Sequence, residues 1–332
     1  MDWTIEKTIN FNSDDAWEDG HPPFGLHCSN GKLCVMSYAG HWVGGVGESA
    51  GFQWSAGSQR PARSDCHIQI DLINPHYVTD TPDGKYLITS GGTNRIYLVD
   101  PNTQSASILI DGGALGLTDM GNCIFDDKGN LWMNEIQGCK IWQFSPDGLP
   151  LRTLGNGAPG FQAQAVPMQD AQFNWIYDMR KGPDGNLYVL DSKNYAVRRI
   201  DLRDGVVAPI AGTGQGGYHG DGGDALYATF GTNTQEFFDG PWSLSLDEQG
   251  NIYVGDTQNH VVRMIEKSTN RITTIAGNPN AAPDTRNSPS IFRPAQVNLI
   301  KICSMDYYSN RLYIPDWNGD LIILLRSMNH SL

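Results

Sequence analysis

Two stretches of this chain are near copies of each other. Asn251-Ile-Tyr-Val-Gly-Asp-Thr-Gln-Asn-His-Val-Val-Arg-Met-Ile265 follows the turn Asp247-Glu-Gln-Gly250, and Asn186-Leu-Tyr-Val-Leu-Asp-Ser-Lys-Asn-Tyr-Ala-Val-Arg-Arg-Ile200 follows Gly182-Pro-Asp-Gly185. Each reads as a strand, a tight polar bend and a second strand. A repeated strand unit cannot bury its apolar side chains alone, so copies must stack, and the repeat sets the architecture before any single residue does.

Four weaker copies complete the series. The first has Pro23 to Cys28 and Leu33 to Tyr38, then a long Gly- and Ser-rich connection from Gly40 to Asp65 containing Trp42 and Trp54, before strand character resumes at Cys66. A connection of that length is unusual in a packed domain, and its two tryptophans make it a lid-like insert, 40–65. The second copy runs through Pro82-Asp-Gly-Lys85, and the third through Asp127-Lys-Gly-Asn130. The sixth has strands at 299–306, 312–316 and 321–325. Six units of about four strands, spaced by roughly 45–65 residues, predict an all-β fold: a six-bladed β-propeller of four-stranded antiparallel blades. Too few residues follow Leu325 for a last strand, whereas residues 3–9 alternate like a strand with no neighbour. They are expected to complete the last blade and close the ring, which hides two sheet edges. The whole of 1–332 reads as one propeller domain.

Composition suits that fold, with 38 Gly, 13 Tyr, 9 Trp and only 18% charged residues. The net charge of −13 leaves no basic face for a phosphate backbone, so nucleic acid is not an expected partner. No apolar run is long enough to cross a membrane. Residues 1–7 lack the basic start and apolar middle of a signal peptide, which predicts a cytoplasmic protein unless the chain is a secreted mature form. The six cysteines are scattered, with no C-x-x-C pair, and are read as thiols. Gly220-Asp-Gly-Gly-Asp224 has no strand-to-helix context, so no nucleotide cofactor is expected.

The series Gly212-Thr-Gly, Gly220-Asp-Gly-Gly-Asp-Ala225, Gly240-Pro-Trp-Ser-Leu-Ser-Leu-Asp247 and Gly250 to Arg263 resembles NHL-repeat propellers, closely over 174–277 and less so over 75–145. That resemblance implies the fold. It does not choose a function, because NHL propellers include enzymes and modules that bind RNA or protein.

Function is expected where the copies stop matching. The positions leading into each first strand are polar: Glu18, Asp19 and His21, then Asn74 and His76, Thr118 and Asp119, Asn174 and Tyr177, Asp239, and Gln296 and Asn298. The long leading loops 155–173, 212–238 and 277–294, with the 40–65 insert, are expected to wall this face into a pocket for a small molecule. Carboxylates and amides converging on one axis either hold Ca²⁺ or another hard divalent ion, or satisfy backbone amides. The arrangement is also similar to gluconolactonase/senescence-marker (strictosidine-synthase-like) propellers. That similarity implies a metal held by Glu18 (or Asp19 beside it), Asn174 and Asp239.

His76 and Asp119 form the expected acid–base pair, since a histidine neutral near pH 7 can take a proton. His21 and Tyr177 are further catalytic candidates. So is Glu135, which stands where the other copies have Asp191, Asp256 and Asp316 and so breaks the repeat rule. Trp42, Trp175, Trp242, Asn74 and Asn298 would line the substrate site. The expected activity is that of a soluble enzyme acting on a small organic substrate by hydrolysis, elimination (as a lyase) or cyclisation, metal-dependent or not. The alternative is a non-catalytic scaffold that docks a protein partner.

Overall fold

Six first strands crowd around one axis: Gly25–Ser29, Pro75–Asp80, Met120–Phe125, Ile176–Lys181, Ser243–Leu246 and Asp306–Tyr308. Each packs against the next, and the last packs against the first, so the ring is closed. The computed structural model describes residues 3–10, 25–29, 32–37, 41–46, 52–57, 66–234, 239–280, 293–297, 299, 301–315 and 320–326. Each first strand opens an antiparallel blade of four or five strands, and the chain is an all-β six-bladed propeller. Trp3–Asn10 pairs antiparallel with Asp320–Arg326 and is the outer strand of blade six, so the first described strand closes the ring beside the last.

Hairpin chemistry sets the blades. At the lower turns of blades three and five, Asp126 accepts the Lys128 and Asn130 backbone N–H groups (both 2.9 Å), and Asp247 accepts those of Gln249 (3.0 Å) and Asn251 (2.8 Å). Gly129 and Gly250 take φ of +81° and +82° there, a region only glycine enters without cost. Strand alternation then puts apolar side chains between neighbouring blades, and the core is six apolar wedges, one per blade interface. Among the described residues no helix is long and apolar enough to cross a membrane. Five of the six cysteines are buried and none forms a disulfide.

Three expectations need correction. The 40–65 stretch is not a lid over its described length: Trp42–Val46 and Phe52–Gly57 are the third and fourth strands of blade one, and His67–Gln69 adds a fifth in parallel. Gly44 and Gly45 lie buried within that strand, and their composition hid it. Blade six's first strand begins at Asp306 rather than 299, because Lys301 turns to φ +50° and interrupts the extended run. Finally, the described parts of the loops 155–173 and 212–238 do not wall the upper face, where the first strands begin, and residues 281–292 of the third loop lie outside the described residues. The loop 155–173 runs down the outside of blade four and adds Val166–Pro167 to its edge strand. The loop after Gly212 descends likewise over blade five, with Gly222 N–H donating to Ile272 O (2.7 Å) and Ala225 N–H to Asn270 O (2.8 Å). Both loops spend their length covering exposed strand edges.

Candidate functional site

The first strands place polar side chains at i and i+2, which point the same way, toward the axis. Arg180 of blade four lies at the centre. Its Nε donates to Leu244 O of blade five (2.9 Å) and its Nη2 to Met305 O of blade six (3.2 Å). Its Nη1 donates to Tyr77 Oη of blade two, whose ring lies 4.7 Å below the guanidinium. Asp178, two residues earlier, pairs with Arg180 at 3.2 Å and accepts Asn122 Nδ2 of blade three (2.7 Å) and Leu244 N–H (2.8 Å). Asp306 of blade six lies 3.8 Å from Arg180 and accepts the Cys28 N–H of blade one (2.7 Å). His27 stands between Asp306 (3.3 Å) and Asp80 of blade two (3.4 Å). All six blades thus meet in one buried charged cluster.

Electrostatics favour the charged forms of Arg180, His27 and Asp306, whereas burial raises the pKa of the Asp178 carboxyl despite the Arg180 charge beside it. Burial works against the charge on Arg180, but Asp178, Tyr77 and Asp306 outweigh it and raise its pKa. Burial would also keep His27 neutral, yet the carboxylates of Asp306 and Asp80 beside it prevail and lift it to about 9. Burial pushes the Asp306 carboxyl up, and its bond to His27 with the Arg180 charge brings it below the usual range.

Above this cluster a cavity of ≈ 30 Å³ is lined by His76, Tyr77, Asn122, Tyr177, Arg180 and Ser304, among others. That is room for water, an order of magnitude below the roughly 300 Å³ at which small-molecule sites begin. Of the sequence candidates, His76 and Tyr177 reach it. His76 Nδ1 donates to Met120 O of the next blade (3.1 Å), and its ring lies against Gly91, where any side chain would collide with it. Burial lowers the His76 pKa, with the Asp119 charge opposing. Asp119 itself, at φ +55°, accepts Gln137 Nε2 (2.8 Å). Tyr177 packs on Trp242, ring centres 4.1 Å apart.

The other candidates hold the upper face together. Glu135 accepts Thr118 N–H (3.0 Å), Thr118 Oγ1 (3.3 Å) and Trp142 Nε1 (3.2 Å). This is the role of its counterparts: Ser90 accepts Ile73 N–H (3.0 Å), Asp191 accepts Asn174 N–H (2.7 Å) and Asp256 accepts Gly231 N–H (2.8 Å). In blades two to five the end of the second strand pins the loop leading into its own blade, and Glu135 does so with a longer arm. Asn74 (φ +49°) donates its N–H to His41 Nδ1 (3.2 Å), and Trp175 (φ +61°) lies 5.3 Å from Lys193 Nζ. The third strand of blade one begins at Trp42. Glu18, Asp19, His21 and Asn298 lie outside the described residues.

The implied metal meets a poor donor set in what is described. Asp239 is fully buried, and its oxygens accept Tyr195 Oη (2.7 Å), Thr232 N–H (2.8 Å), Thr232 Oγ1 (3.2 Å) and Asn233 N–H (3.2 Å). Three of these donors meet Oδ1 and the Tyr195 hydroxyl meets Oδ2, so a cation would have to compete with them. Among the described residues no three His, Cys, Asp or Glu side chains converge to hold a metal ion.

The leading positions alone do not reveal the axial cluster, whose members lie on the strands below them. A signal was present: Ile176-Tyr-Asp-Met-Arg-Lys181 places Asp178 and Arg180 on one face of a central strand, where charge is costly unless paired.

No protein-family model matches the chain. Among curated proteins it is similar to NHL repeat-containing protein 2 of Bos taurus, 23% identical over 337 residues that cover 90% of this chain and 45% of that protein. The chain therefore spans less than half the length of that relative. Among solved structures, an auxiliary nutrient binding protein from Bacteroides ovatus superposes with a TM-score of 0.66 at 14% identity, covering 98% of this chain and 77% of that one. Virginiamycin B lyase from Staphylococcus aureus superposes with a TM-score of 0.56 at 14% identity, covering 97% and 99%. At such identities the structural likeness is one of fold alone.

Proposed function

We propose that this NHL-type six-bladed propeller is a non-catalytic scaffold that docks a protein partner on its upper face. The closed axis carries the reading. A buried charged cluster fills the channel in which a substrate would sit, and the cavity above it is ≈ 30 Å³. Asp239 and Glu135 spend their acceptor capacity on backbone and side-chain donors of the ring. Exposed apolar side chains on the loops leading into blades two and three, Ile73 and Leu115, give a partner something to bury.

The test uses a photocrosslinking benzoylphenylalanine at position 115, with position 128 in the lower turn of the same blade as control. A discrete protein adduct at 115 and none at 128 supports docking on the upper face. Equal adducts at both positions, or none at either, count against it.

One observation favours the enzyme reading. His76 is half-buried on the cavity wall beside Tyr177, its pKa lowered by burial, with Asp119 close enough to act on it electrostatically. A small-molecule hydrolase or lyase would use His76 as its base, with or without a divalent ion. Turnover of a lactone, ester or cyclic-peptide panel that disappears in His76→Ala would establish that reading over the scaffold.

A further inference from the structure

Blades four and five fold their edge loops in the same way and differ in how the arginine beneath each loop is paired. Gly155 N–H donates to Met168 O (3.0 Å) as Gly212 N–H does to Ala225 O (2.9 Å), and Gly160 N–H to Phe173 O (3.3 Å) as Gly217 N–H does to Phe230 O (3.1 Å). Asn194 Nδ2 holds Gly160 O (2.7 Å) as Asn259 Nδ2 holds Gly217 O (3.1 Å). Under each loop lies a third-strand arginine, Arg198 or Arg263, fully buried between two aromatic rings: Phe161 and Phe173, or Tyr218 and Phe230. In both, Nη1 donates to the loop, to Gln172 O (3.4 Å) or Thr229 O (2.7 Å).

The other edge of the guanidinium is where they part. Arg263 Nε and Nη2 both donate to Asp221 Oδ1, at 3.1 and 2.7 Å, and Nη2 also donates to His219 O (2.8 Å). The same register places Gln164 where Asp221 stands, and its side chain does not pair with Arg198. Arg198 Nε and Nη2 are buried with no hydrogen-bond partner. Asp191 meets Nη1 alone among the three nitrogens (3.2 Å). A buried guanidinium edge without an acceptor is costly, and blade five shows which chemistry satisfies it. The Asp221 side chain is 38% exposed, so the acceptor site is open to solvent in blade five.

We infer that blade four carries an anion socket at its outer rim, in which the Nε–Nη2 edge of Arg198 binds a small free carboxylate in the place that Asp221 fills in blade five. The socket lies away from the upper face and goes beyond the scaffold reading. Guanidinium and carboxylate match in shape and charge, which favours a carboxylate over a spherical anion.

The whole chain is titrated with sodium acetate in exchange for sodium chloride at constant ionic strength while thermal unfolding is followed. The wild type gains roughly 2 °C at tenfold over half-saturation. Gln164→Ala responds like the wild type. Gln164→Asp supplies the carboxylate from within, starts from a higher midpoint in chloride and no longer responds to acetate. A wild type indifferent to acetate, or a Gln164→Asp variant that shifts as far as the wild type, would overturn the inference.

Discussion

His27 shows how much one side chain can depend on its setting. It lies in a first strand, bracketed by Asp80 and Asp306, with a pKa raised to about 9 from an ordinary 6.5. A raised folded-state pKa contributes stability that is fully present below the unfolded value and is lost as pH rises through the folded one. The thermal midpoint should therefore fall between pH 7 and pH 9, and His27→Gln should flatten that slope. A midpoint that stays level in the wild type would remove the proton from the account. Asp239 makes the complementary case. Replacing it with Ala strands the buried Tyr195 hydroxyl and the Thr232 and Asn233 amides, for an expected loss of about 3 kcal/mol in urea unfolding. Because those donors already occupy its oxygens, EDTA and Ca²⁺ should leave the wild-type midpoint unchanged. A Ca²⁺ shift that Asp239→Ala abolishes would restore the metal site.

Elements were read well where their repeats are regular. The turns Gly182-Pro-Asp-Gly185 and Asp247-Glu-Gln-Gly250, with alternating Val, Ile and Tyr after them, mark the first hairpins of blades four and five, and the isolated 3–9 run predicts its own pairing. Trp3 shows what that pairing is worth. It packs edge-on against Tyr253, ring centres 5.6 Å apart, in the wedge between blades five and six. Trp3→Ala should cost about 3–5 kcal/mol, read as a lower urea midpoint with the slope unchanged. A loss under 1 kcal/mol would mean that the closing strand is held by its backbone alone. Two elements escaped sequence reading for physical reasons. Gly44 and Gly45 carry no side chain to show alternation. The long loops of blades four and five look like pocket walls until their backbone partners on the outer strands are seen. Glu135 breaks a sequence rule and still obeys the structural one, since what repeats is an acceptor for the leading loop and the residue type is free to vary.

At the scale of the whole molecule, closure depends on contacts that no single blade contains. Arg180 reaches Tyr77, Leu244, Met305, Asp178 and Asp306, drawn from four blades, while His27, Cys28 and Asn122 bring in the other two through the carboxylates. A local sequence pattern cannot announce such a cluster, because its members are spread from residue 27 to residue 306 and meet only once the ring has closed. Removing one member of a buried charged group leaves the others uncompensated, so Arg180→Met should lose about 3–5 kcal/mol. Much of that loss is the stranded charge of Asp178 rather than the missing contacts of the arginine. Adding Asp178→Asn to Arg180→Met removes the charge and keeps one acceptor oxygen for the Asn122 and Leu244 donors. The double variant should therefore be more stable than the sum of the two single losses predicts, by at least 1 kcal/mol in a double-mutant cycle. Strict additivity would show that the two side chains stabilise the ring separately. With coupling of that size the six blades should unfold in one transition, because no blade can leave the axis without breaking the charge balance of the rest.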